Sequence, residues 1–130
     1  MSEHTTQCAF IQWCEWNEGK YPDLKLIYSI PNGAHLAGDS RQRAIKMAKM
    51  KAEGLKIGMP DTHLPVPCGG YNGLYIEFKD GKNKLSDNQE ERIDMLERAG
   101  HCVAVCYTVD EAIRVTLEYL NPPHVMNLYP

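Results

Sequence analysis

Gly58-Met59-Pro60-Asp61 and, after a glycine-rich connection, Gly73-Leu74-Tyr75-Ile76-Glu77-Phe78-Lys79 decide how this chain reads. Strand side chains repeat every two residues. Leu74, Ile76 and Phe78 therefore fall on one face of a strand, and Tyr75, Glu77 and Lys79 on the other. A carboxylate and an ammonium group point the same way. Asp61 follows a Gly-Met-Pro punctuation, where a neighbouring strand from Asp61 to Val66 would begin. Two carboxylates suit a hard divalent cation, and a lysine beside them suits phosphodiester cleavage. Glu-x-Lys alone is a common tripeptide, whose ordinary reading is a solvated strand face with a cross-strand ion pair. The surroundings have to decide.

Working outward, His4 to Glu18 reads as a helix with Glu3, Gln7, Phe10 or Ile11, and Cys14 along one face, ended by Gly19 and Pro22. Leu24 to Ser29 alternates as a strand, and Pro31-Asn32-Gly33 is a turn signal. Ser40 to Glu53 is a second helix stopped by Gly54, while Pro65 and Pro67 confine the end of the next strand to an edge or loop. Ser86 with Gln89 three residues on is a capping box. Its helix runs to about Arg98 with Ile93, Leu96 and Ala99 inward and Gly100 as the stop. An apolar run from Cys102 to Tyr107 reads as a buried strand, followed by a helix from Asp110 to Leu120 that Asn121-Pro122-Pro123 ends. This order predicts an α/β sandwich around a small mixed β-sheet. The 130 residues fit one domain, with a core over about 3–120 and a tail over 121–130 carrying the apolar Val125, Met126, Leu128 and Tyr129.

Hydrophobic content of 43% and charged content of 24% are ordinary for a globular protein. No apolar run is long enough to span a membrane and no signal-peptide pattern opens the chain, so a cytoplasmic location is expected. The five cysteines (Cys8, Cys14, Cys68, Cys102, Cys106) are an odd number without a paired Cys-x-x-Cys, which argues against a disulfide framework and against structural zinc. His35, His63 and His101 show no metal-ligand spacing. The net charge of −3 is unevenly placed. From Arg41 to Lys56 there are six basic residues (Arg41, Arg43, Lys46, Lys49, Lys51, Lys56) against Glu53 alone, a local +5 on a remainder of −8. A basic stripe on an acidic body suits a polyanion docked on one face, although any single lysine there also fits a solvated helix.

The pieces Glu3-x-x-x-Gln7, Ile30-Pro31-Asn32-Gly33, Gly54-x-x-x-Gly58-x-Pro60-Asp61, Ile76-Glu77-Phe78-Lys79 and Leu85-Ser86-x-x-Gln89, in that order, resemble the VRR-NUC family, a branch of the PD-(D/E)XK nucleases. The resemblance spans roughly Glu3 to Leu120 and is to stand-alone members of phage or bacterial type. It implies a restriction-endonuclease-like fold and a metal-dependent DNA endonuclease leaving a 5′-phosphate. It further implies Mg²⁺ or Mn²⁺ held by Glu3, Asp61, Glu77 and the backbone carbonyl of Phe78, with Asp61, Glu77, Lys79 and Gln89 catalytic. Asn32 and the basic Arg41, Arg43, Lys46 and Lys49 become the DNA-binding candidates.

Each assignment has a structural alternative. Glu3 could simply favour a helix N-terminus. The capping box accounts for Gln89 without any substrate, and Asn32 could be only the left-handed residue of a turn. Lys79 could form an exposed ion pair of little consequence. No sequence-reading module is visible, so a flap, nick or branched junction is expected as substrate rather than a base sequence. Paired scissile strands in such DNA favour a two-fold homodimer, with the apolar tail as candidate surface. The competing functions are a non-catalytic nucleic-acid-binding or assembly module, and a hydrolase of smaller phosphate esters.

Overall fold

Leu74–Phe78 forms the central strand, and everything that matters for the site is arranged around it. The computed structural model describes residues 1–34 and 36–121. His35 and the tail residues Val125, Met126, Leu128 and Tyr129 lie outside the described residues. Elements run α1 (Glu3–Trp16), a 3₁₀ turn (Pro22–Leu26), β1 (Tyr28–Ser29), α2 (Ser40–Ala52), β2 (Thr62–Leu64), β3 (Leu74–Phe78), α3 (Asp87–Arg98), β4 (Cys102–Cys106) and α4 (Val109–Leu120). The sheet order is β1-β2-β3-β4. β1 and β2, and β2 and β3, pair antiparallel, whereas β3 and β4 are parallel across the α3 crossover. The expected mixed-sheet α/β fold is the one observed.

Alternation sorts the sheet into two faces. The register Leu64↔Leu74↔Cys102 and Phe78↔Cys106 collects the core side, which α1 and α4 cover. Phe10 of α1 is fully buried there, its ring centroid 5.8 Å from that of Phe78. Ala112, Thr116 and Tyr119 of α4 close the layer, and the Tyr119 hydroxyl donates to the Val66 carbonyl. The opposite side carries the row Tyr28, His63, Tyr75 and Val103 and, beside it, Glu77 and Val105.

Several sequence expectations are corrected. Leu24 to Ser29 is not one strand: Pro22 opens a 3₁₀ turn that buries Leu24, and only Tyr28–Ser29 pairs. Proline at a first helical position presets φ for a turn, and this outweighs six residues of alternation. β4 is only half-buried until Cys106, because it is the edge strand of the sheet. Ala99 is an exposed C-cap rather than an inward residue of α3, while Ile93 and Leu96 are half-buried. Thr6, not anticipated, joins Phe10 and Cys14 on the buried face of α1.

Candidate active site

Asp61 and Glu77 meet because Asp61 sits at the mouth of β2, where its N–H donates to the Ile76 carbonyl at 3.1 Å. Its carboxylate then accepts from the Phe78 N–H at 2.7 Å. Phe78 itself sends its side chain into the core, as the alternation requires, and leaves its backbone beside Asp61. Glu77 is only 2% exposed, an unusual place for a carboxylate. Burial, followed by the charge of Asp61, raises its pKa from 4.5 to about 8, against the opposing pull of Lys79. Asp61 is raised as well, chiefly by burial, while the Phe78 N–H pulls it down. Burial and the mutual charge of the two carboxyl groups thus favour the protonated form of Glu77 where no cation lies between them.

Gln89 closes the capping box and also reaches Glu77. Its Oε1 accepts from the Ser86 N–H at 2.9 Å and the Ser86 hydroxyl accepts from the Gln89 N–H at 3.2 Å, closing the capping box. Its Nε2 donates to Glu77 Oε2 at 3.1 Å. The cap thus locks the rotamer that holds the buried carboxyl. Gly58 is the device that seats this helix end. Its φ is +88°, and a β-carbon there would lie 2.5 Å from the Asn88 carbonyl oxygen. Only glycine permits the Gly58–Asp61 segment to run against the first turn of α3.

Glu3 stands at the rim of the same cleft, which Gln7, Ile30, Pro31, Asn32 and Asp61 also line. Its carboxylate accepts from Asn83 Nδ2 at 3.4 Å, and Asn83 donates to Asp80 as well at 2.7 Å. Asn83 was not anticipated; its place in the polar turn after Lys79 was the available signal. Among the described residues no three His, Cys, Asp or Glu side chains converge as a complete metal-binding group. The structure brings Asp61 and Glu77 together and leaves Glu3 at the edge. Lys79 is half-buried with its N–H on the Cys106 carbonyl. Among the described residues the ion pair within 4.0 Å is Arg98–Asp94, so the alternative of a Lys79 salt bridge to either carboxylate is not realised.

The DNA-binding candidates divide. Asn32 is not left-handed, since no non-glycine described residue has positive φ; Gly33 takes that conformation at +76°. Asn32 instead accepts from the Ala34 N–H at 2.8 Å while lining the cleft. Arg43 donates to the Gly38 carbonyl and Lys46 to the Ala37 carbonyl, tying α2 to its leading loop. Arg41 and Lys49 are exposed on α2, a helix without a buried residue. One register row from the carboxylates, His63 stacks on Tyr75 at 4.1 Å and hydrogen-bonds the Tyr28 hydroxyl at 2.7 Å. Burial, then His101, lowers the His63 pKa.

The family model of the VRR-NUC domain matches residues 1–110. The chain belongs to the VRR-NUC family. A solved structure described as a VRR_NUC domain protein is 30% identical, with a TM-score of 0.74, over 92% of this chain and 88% of that one. No curated protein matches. VRR-NUC proteins are a branch of the PD-(D/E)XK superfamily and a nuclease-type family, so the sequence resemblance holds over the part of the chain that carries Asp61, Glu77, Lys79 and Gln89. Among the described residues of this VRR-NUC chain, no helix is long and apolar enough to cross a membrane.

Proposed function

We propose that this VRR-NUC protein is a metal-dependent endonuclease that hydrolyses phosphodiester bonds in flap or branched DNA. The observation that carries the reading is the buried Asp61–Glu77 pair, held from one side by the Phe78 N–H and from the other by Gln89. Two carboxyls forced together in a dry site are costly unless a proton or a cation lies between them. Mg²⁺ or Mn²⁺ fits that donor set, with Glu3 and the Phe78 carbonyl as further oxygen ligands. A divalent cation held there would supply Lewis-acid polarisation of a phosphoryl oxygen. Lys79 contributes positive charge on the same strand face, where negative charge develops on the phosphate. The exposed cations of α2 engage phosphates without reading bases, which suits recognition by DNA shape.

A two-fold homodimer belongs to the same reading, because one small domain reaches one of two paired scissile strands. Sedimentation equilibrium at micromolar protein checks it, and a strictly monomeric protein that cuts both strands of a junction would rule it out. The function itself is tested with supercoiled plasmid and with flap and junction oligonucleotides, in Mg²⁺ or Mn²⁺ and then in chelator. Asp61→Ala, Glu77→Ala and Lys79→Ala are each expected to lose at least a thousandfold in rate while retaining fold and DNA binding. Metal-independent cutting, or full activity in Lys79→Ala, would refute the mechanism. DNA binding with no cutting under any of these conditions would favour a binding module that keeps the fold.

A further inference from the structure

Across the Ile30–Pro31 ridge from the Asp61 cleft lies a second concavity of about 380 Å³, walled by Ile30, Pro31, Met50, Leu55 and Met59. That volume is near the lower end of the range for small-molecule sites. Ile30 and Pro31 line both cavities. The ridge is fixed to the carboxylate pair, since the Ile30 N–H donates to the Asp61 carbonyl at 2.8 Å. Met59 is two residues before Asp61, which keeps their Cα atoms within about 7 Å. Lys49 and Lys51 flank Met50 in the last turn of α2, and Lys56 stands at the groove itself.

Resting on the DNA-nuclease reading above, we propose that this groove receives the base of an unpaired nucleotide next to the scissile phosphate. A strand held at Asp61 and directed toward the α2 cations has to cross the ridge. Its backbone then meets Lys49, Lys51 and Lys56 while the groove offers an apolar wall to the base. Glu53 is the one carboxylate of the lining, and the walls hold little else to read a base edge, so the site takes a base by its faces and tolerates any sequence. A paired base has both faces covered by its neighbours; an unpaired one enters at the least unstacking cost. The groove would thereby select flaps and junctions over intact duplex.

The test places 2-aminopurine singly at each position around the scissile bond of a flap oligonucleotide. Wild-type protein is added in chelator, and the anisotropy of a terminal dye reports binding independently. The expected result is a several-fold rise in emission at one position beside the scissile bond and none within the duplex arms. Met50→Trp, which fills the groove, should abolish that rise and slow flap cleavage in Mg²⁺ about tenfold, with wild-type melting. An abasic residue at the same position should slow the wild type equally. Bound DNA with flat emission at every position would overturn the proposal and leave the nuclease reading standing. A Met50→Trp protein that loses self-association without affecting the emission would overturn it too, assigning the groove to a second copy. Failure to bind any DNA would sink the nuclease reading itself. Should Met50→Trp not fold, the wild-type emission scan decides alone.

Discussion

Gly58→Ala isolates the contact that seats α3 against the loop leading to Asp61. Two costs arise. The left-handed backbone at φ +88° costs an L-residue about 1–2 kcal/mol. The new β-carbon would also sit 2.5 Å from the Asn88 carbonyl oxygen, 2.7 Å from its carbon and 3.1 Å from the Gln89 nitrogen. These are backbone atoms that cannot rotate aside, so the first turn of α3 has to move, at about 1–3 kcal/mol for overpacking. The total, about 2–5 kcal/mol, corresponds to a fall in Tm of about 7–18 °C for a domain of this size. Gly54→Ala is the matched control: φ is +113° and nothing lies within 4 Å, so only the backbone cost applies. Thermal denaturation of both variants, with Mg²⁺ titration by calorimetry, makes the comparison. Gly58→Ala should melt lower than Gly54→Ala and lose metal affinity, because Gln89 moves with Asn88 and lets go of Glu77. Equal melting of the two variants, with equal Mg²⁺ affinity, would refute the reasoning.

Three further outcomes follow from the site. The raised Glu77 pKa stabilises the metal-free protein most fully below pH 4.5, and that stability is lost as pH rises toward 8. On the proposed metal site, binding has to displace the proton, so Mg²⁺ affinity should climb with pH up to about 8, and Glu77→Gln should flatten the pH dependence of metal-free melting. Gln89→Glu keeps an acceptor for the Ser86 N–H but loses the donor to Glu77; helix stability should hold while metal affinity changes at least tenfold, read by the same calorimetry. Reversing Arg41 and Lys49 to glutamate should weaken DNA binding on every sequence and reduce the slope of log K against log salt by about two, measured by anisotropy.

The central strand, the capping box at Ser86 and the parallel closing strand were legible because each rests on local chemistry: alternation, a paired cap, an apolar run. The Leu24 to Ser29 strand was misread because its alternation competes with a proline-initiated turn, and only packing of Leu24 settles that contest. Glu77 was legible as a polar strand residue, but its burial was not, since Gln89 and Asp61 reach it from elements 12 and 16 residues away in sequence. The polar turn after Lys79 marks Asn83 as a candidate, but its bond to Glu3 and the Gly58–Asn88 contact depend on how distant loops meet, which a single sequence does not signal.

The chain leaves β1 at Ser29 and rejoins the neighbouring strand only at Thr62, although antiparallel neighbours are commonly joined by a few residues. From Leu36 to Met59 no side chain in this detour is buried, and α2 lies within it. Such a detour behaves as a cassette. Up to Ile57 its length and charge can drift, since no side chain there is held in the core, whereas Gly58 is tied to the first turn of α3. Asp61 and Glu77 answer instead to the sheet and to α3, where change is expensive. On the proposed function, recognition and chemistry can therefore evolve at different rates along one uninterrupted stretch of chain.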